Sequence, residues 1–293
     1  MATDTTHFAG PATPAATTQT RYIDAAGVRF GYRSYGRYQP SRPSLVLLHR
    51  YRATIDDWDP AFIDALAVGR HVIAFDNRGI GATNGTVPTS LEQAADDAAA
   101  FAAALGLAQI DILGWSMGGM TSQIMALRHP ALVRRAVLAG TCPPGNPETK
   151  PAPDHWQAVA SKPDYTDEDL LTIFFTKSEH SRSLGRASLA RMQLPGMHGA
   201  SVKTSRDVMA AHDAAIGAFW QNKSGWFERL SSIAQPVLVA NGDRDEAFPI
   251  VDSVVMAREI PDSHLAIYPD AAHGFLFQVP HAFAGDVLDF LDA

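Results

Sequence analysis

The chain has 293 residues, 46% of them hydrophobic and 19% charged, which is enough apolar material for one large core or two small ones. Its 22 glycines and 19 prolines are ordinary usage, so a collagen-like or wholly disordered chain is excluded. A net charge of −7 with no run of Lys or Arg argues against a nucleic-acid or anionic-membrane partner, and the single cysteine, Cys142, allows no internal disulfide.

Residues 1–20 are largely Thr, Ala and Pro and read as a disordered tail. They lack the basic start and apolar run of a signal peptide, and no apolar stretch is long enough to span a bilayer, so a cytoplasmic protein is expected. From Arg21 the pattern becomes regular. Segments 21–23 and 28–35, broken at Ala26-Gly27, predict a hairpin. Runs at 44–49, 71–76, 110–114, 136–139, 236–241 and 265–268 are short and apolar throughout, as parallel strands buried on both faces require. Helical patterns at 58–67, 91–105, 117–129, 251–259 and 280–291 alternate with them, and Ser90 with Gln93 resembles a capping box. Alternation of this kind predicts an α/β fold with a mostly parallel sheet covered by helices on both faces.

The alternation fails between Cys142 and Gln235, where 167–177, 181–192 and 205–220 read as helices and no strand is convincing. The chain thus divides into a core of 21–142 plus 236–293 and a helical cap or lid at 143–235, opened by Pro143-Pro144-Gly145.

At the end of the 110–114 strand stands Gly114-Trp115-Ser116-Met117-Gly118. A strand turning at once into a helix strains the serine backbone, glycines two residues to either side remove Cβ atoms that would collide, and the hydroxyl emerges above the sheet over a helix N-terminus. Ser116 is therefore the expected nucleophile. A serine at neutral pH needs an imidazole base oriented by a carboxylate. Of eleven histidines, His273 follows the last strand at the same sheet edge as Ser116. His129, His155, His180, His198 and His212 fall in helices or the insertion, where packing is the default. Asp243 and Asp245, after the penultimate strand, both qualify as the acid; Asp245, deeper in the loop, is preferred.

From Arg21 onwards the chain resembles the α/β-hydrolase superfamily, particularly its esterases, lactonases and cofactor-free haloperoxidases. The resemblance rests on the elbow at Ser116, the order Ser116, Asp245, His273, the Gly242–Asp245 and His273-Gly274-Phe275 segments, and Asp76-Asn77-Arg78-Gly79-Ile80-Gly81. It implies eight strands, the first two being the hairpin, with a cap after the sixth. It also implies that the oxyanion is held by the backbone N–H groups of Tyr51 and Met117. Here the family's usual His-Gly reads His49-Arg50-Tyr51-Arg52. Arg50 or Arg52 then either binds a polar substrate group or pairs with Asp56, Asp57 or Asp59 to brace the loop, the second being preferred. Asp76–Gly79 is expected to be an Arg-held structural turn.

The expected activity is a serine hydrolase on a small, largely apolar ester or lactone, using no metal or organic cofactor. Arg50, Trp115, Phe174, Phe175 and Trp220 are candidate pocket residues, within a wider set of possible lid side chains, Met192, Met197, Phe219 and Trp226. Peracid formation, carbon–carbon bond hydrolysis, cofactor-free oxygenation and non-catalytic ligand binding are the alternatives on this fold. Oligomeric state is not legible.

Overall fold

The computed structural model describes residues 14–193 and 205–293. Three runs that are apolar nearly throughout, β3 (Ser44–Leu48), β4 (Val72–Phe75) and β5 (Ile110–Trp115), are buried at every position and form the middle of the sheet with β6 (Val133–Ala139) and β7 (Val237–Gly242). The hairpin β1 (Arg21–Ala25) and β2 (Val28–Tyr35) lies at one edge and β8 (Ser263–Tyr268) at the other, giving the order β1-β2-β4-β3-β5-β6-β7-β8. Only the β1–β2 and β2–β4 pairings are antiparallel. All parallel strands therefore end at one sheet edge, where the loops carrying functional side chains collect.

Helices α1 (Pro60–Ala67), α2 (Leu91–Ala104), α3 (Met117–Arg128), α8 (Ile250–Glu259), α9 (Phe275–Gln278) and α10 (Pro280–Asp292) flank the sheet. One apolar cluster centres on Phe30, Phe75, Phe101 and Met120, the other on Leu47, Phe62, Trp115 and Phe283. Ser90 caps α2 by accepting from Gln93 N–H, 3.3 Å, as its position suggests. Between β6 and β7 lie α4 (Asp154–Ala160), α5 (Asp167–Phe174), α6 (Glu179–Met192) and α7 (Arg206–Trp220), with no strand among the described residues. No described helix is long and apolar enough to cross a membrane.

One expectation is corrected. The disordered tail of residues 1–20 is too long, because Ala15–Thr17 form a 3-10 turn against α1. Ala15 is buried and its N–H donates to Asp64 Oδ1, 2.8 Å, while Thr20 Oγ1 accepts from Arg33. Residues 1–13, Met197 and His198 lie outside the described residues.

Candidate active site

Three strand ends build the site. β5 runs straight into α3 through Ser116, which has φ +59° and ψ −120°, in the left-handed half of the map that a residue with a Cβ seldom enters. The turn needs its glycines: a Cβ on Gly114 would overlap the Gly118 carbonyl, and one on Gly118 would overlap the Leu48 carbonyl. Ser116 N–H donates to Ala139 O on β6, 2.9 Å, which leaves a side chain only 7% exposed at the sheet edge.

The acid and the imidazole sit on loops zipped together by backbone. Asp243 N–H donates to Tyr268 O and Arg244 N–H to Ala271 O, each at 2.9 Å. Gly242 permits this approach, since a Cβ there would strike the Ala271 carbonyl. Asp245 Oδ2 accepts from His273 Nδ1 at 2.8 Å, with both side chains almost wholly buried. Its Oδ1 accepts from Ala247 N–H, 2.8 Å, and Phe248 N–H, 3.1 Å, which aims the carboxylate. A carboxylate acceptor at Nδ1 puts the ring proton there and leaves Nε2 as the basic nitrogen. Asp243 instead accepts from Ala271 N–H, 3.3 Å, so it braces the histidine loop.

Trp115 Nε1–H donates to His273 O, 3.0 Å, and a Cβ on Gly140 would lie 3.3 Å from His273 Nδ1; both tie His273 to the strand ends beside Ser116. A hydroxyl–imidazole bond between Ser116 and His273 is not among those formed by the described residues. Such bonds are often long without substrate and tighten when it binds.

Among the described residues, the N–H groups of Tyr51 and Met117 have no hydrogen-bond partner. Both belong to segments packed together where α3 meets the loop after β3. That loop is fixed from below by His49, whose Nε2 bonds Phe75 O, 2.6 Å, and whose Nδ1 accepts from Trp58 Nε1, 2.8 Å. Burial lowers His49 to about 4, so the ring is neutral at neutral pH. Asp76 accepts from Ile55 and Ala82 N–H, each at 2.8 Å, and Arg78 is paired to Asp97, so 76–79 is a structural turn.

The arginines differ. Arg50 donates to Asp57, 2.6 Å, and to Tyr51 O, 2.9 Å, bracing its own loop, while its guanidinium lies 5.5 Å from the Trp115 ring and 5.0 Å from that of Phe174. Arg52 braces the insertion, donating to Lys162 O at 2.7 Å, Tyr165 Oη at 3.2 Å, and Pro163 O.

Of the candidate pocket residues, Trp115 and Phe174 face His273, with ring centroids 5.6 and 5.9 Å away, the second nearly parallel. Phe175, one residue on, turns to pack against Gly185 of α6. Trp220 is not brought to the cluster. It ends α7, is 53% exposed and donates to Cys142 Sγ at 3.3 Å. Phe219 and Trp226 are buried in the core, and Met192 packs at its margin. Two further rings close on His273, Phe248 at 5.4 Å and Trp156 at 6.4 Å. Phe248 follows from Asp245, because an aspartate bonding to the N–H two and three residues on carries that residue inwards. Trp156 has no such signal.

These features coincide with a known family. Residues 43–280 match the alpha/beta hydrolase fold family model. The chain belongs to the alpha/beta hydrolase family. An alpha/beta hydrolase fold protein from Chitinophaga pinensis is 33% identical, with a TM-score of 0.81 over 96% of this chain and 100% of that one. A non-heme haloperoxidase from Rhodococcus erythropolis is 27% identical over 91% of this hydrolase and 97% of its own length. A pimeloyl-[acyl-carrier protein] methyl ester esterase from Aromatoleum aromaticum is 28% identical over 80% and 92%, respectively. Membership makes this chain an enzyme with general hydrolase activity.

Proposed function

We propose that this alpha/beta hydrolase cleaves a small, largely apolar ester or lactone through an acyl-enzyme on Ser116. The observation that carries the reading is the buried Asp245–His273 pair at the sheet edge where Ser116 emerges. His273 Nε2 takes the Ser116 proton as Oγ attacks the carbonyl carbon, and Asp245 stabilises the resulting imidazolium. The N–H groups of Tyr51 and Met117 hold the oxyanion, a contribution worth about 3 kcal/mol per donor in such sites. The imidazolium proton passes to the departing alkoxide, and water, deprotonated by His273, releases the acid. Residues 143–235 serve as the cap over a core of 21–142 and 236–293. The rings of Trp115, Phe174, Phe248 and Trp156 around His273 support an apolar acyl or alcohol group. Arg50, engaged with Asp57, braces the oxyanion loop rather than reading substrate.

The test is stoichiometric labelling of Ser116 by a fluorophosphonate together with multiple turnover of p-nitrophenyl acetate. Ser116→Ala is expected to lose label and lower kcat by about 10⁴ or more; unchanged esterase turnover would sink the assignment. The likeness to a non-heme haloperoxidase supports a second reading, with peroxide replacing water at the acyl-enzyme. Peracid formation from acetate and peroxide, lost in Ser116→Ala, is its signature.

A further inference from the structure

Arg52 has φ +64°, a conformation that glycine adopts readily and an arginine adopts only when held. The holding groups come from the insertion, far away in sequence. Arg52 N–H donates to Nδ1 of His212 in α7, 3.2 Å, in a buried bond, while the Arg52 side chain reaches Lys162, Pro163 and Tyr165 between α4 and α5. Tyr51 lies between these contacts, its ring 5.6 Å from that of His212. His212 also lines one small pocket with Met117. A single imidazole from the insertion therefore touches Tyr51 and Arg52 and shares a pocket with Met117. Its Nδ1 must be unprotonated to accept, and burial, with the Arg52 guanidinium nearby, lowers His212 to about 4.

We propose that His212 is a positioning residue for hydrolysis at Ser116: by accepting the Arg52 N–H it fixes the 50–52 turn and so aims the Tyr51 N–H at the oxyanion. This rests on the reading of Tyr51 N–H as an oxyanion donor. It makes the chemistry conditional on α7 being seated, because the bond that shapes the turn is lost when the cap lifts. Substrate can enter with the cap raised, but the transition state is stabilised only once it has returned.

The test compares three variants on p-nitrophenyl acetate. His212→Leu keeps an apolar body and removes the acceptor. His212→Asn returns an amide oxygen near the Nδ1 position, whereas the longer side chain of His212→Gln carries it past that point. Expected are a kcat about 10- to 100-fold lower for His212→Leu with KM changed less than about threefold, an equal loss of affinity for a phenylboronic acid that forms a tetrahedral adduct, and recovery of most of both in His212→Asn but not in His212→Gln. A role in packing alone predicts that Asn and Gln behave alike and that boronate affinity follows thermal stability; that result overturns the proposal. Should His212→Leu not fold, the Asn and Gln pair decides by the same criterion. If Ser116→Ala abolishes turnover while His212→Leu keeps wild-type kcat, the positioning role alone is wrong. Turnover surviving Ser116→Ala would instead remove the acyl-enzyme reading beneath it.

Discussion

Strands β3, β4, β5 and β7 are buried at every residue, whereas α4 buries none of its seven and α6 buries only Ser181, Gly185, Ser188 and Leu189. The sheet holds its shape by apolar contact and backbone register, and it carries Ser116, Asp245 and His273 at strand ends. The inserted helices add polar ties to the apolar anchors that Phe174, Leu189 and Phe219 place in the core clusters. Asp59 receives Arg191 and Ser188, Asp270 receives Thr176 and Ser178, Gln278 receives Ser181, and Gly274 N–H donates to Phe174 O at 2.7 Å. Directional bonds break one at a time, while a packed core yields cooperatively. The two regions thus differ in how they would respond to perturbation, the sheet as one unit and the ties of the insertion separately.

The largest expected effect falls at the strand ends. Asp245→Asn should lower kcat by about 10⁴, since the amide no longer favours the productive tautomer or steadies the imidazolium, while Asp243→Asn should cost less than about tenfold. Steady-state kinetics on one ester decide it, and equal losses would transfer the acid role or divide it. Next comes a tie of the insertion. Arg191→Met leaves Asp59, wholly buried at the N-terminus of α1, with Ser188 and the Ala61 N–H alone. A loss of about 2–3 kcal/mol by urea unfolding is expected, with kcat reduced far less than by Asp245→Asn.

A pair of glycines sharpens the contrast with opposite signs. Gly118→Ala drives a Cβ into the Leu48 carbonyl and should destabilise by about 2 kcal/mol. Gly217→Ala, inside α7 with nothing within 4 Å, should stabilise by about 0.5–1 kcal/mol. Thermal melts of the two variants test both, and a stabilised Gly118→Ala would contradict the tight seat of α3. At neutral pH, where the variants above are compared, a last difference is silent and emerges only on acidification. His49 in the core and His212 in the insertion are both lowered to about 4 by burial, from an ordinary 6.5. Each takes up a proton on unfolding through that window, so its share of stability is full above pH 6.5 and is lost as pH falls towards 4. In His212→Asn that share is gone. The stability of wild type relative to the variant should therefore drop by about 1.4 kcal/mol per pH unit of acidification between 6.5 and 4, and parallel curves would mean that His212 titrates normally.

Much of this is legible in the amino-acid order, for physical reasons. Strands buried on both faces must be apolar at each position, so 44–49 and 110–114 announce themselves, and Gly114, Ser116 and Gly118 mark a turn only such spacing allows. Helix α4 escapes because its stripe of Trp156, Val159 and Ala160 spans barely two turns and is only half-buried, and four-residue α9 is a single turn buried at every position, which leaves no period to read. The partners of Arg52 lie 110 residues and more along the chain, and no local pattern reports a bond formed by folding the insertion back. For the same reason Phe174 and Phe175, adjacent in sequence, could not be divided into one ring at His273 and one inside the insertion.

Cys142 is the one cysteine in the chain; it is fully buried, and burial, with the Asp252 carboxylate nearby, pushes its thiol well above the usual range. Only a thiolate reacts with alkylating reagents at useful rates, so maleimides added to the folded enzyme should pass it by. A single cysteine placed on an exposed position of α7 can therefore carry a fluorophore or spin label without a cysteine-free background being built first. The distance between α7 and the Ser116 edge of the sheet then becomes a quantity to be followed spectroscopically.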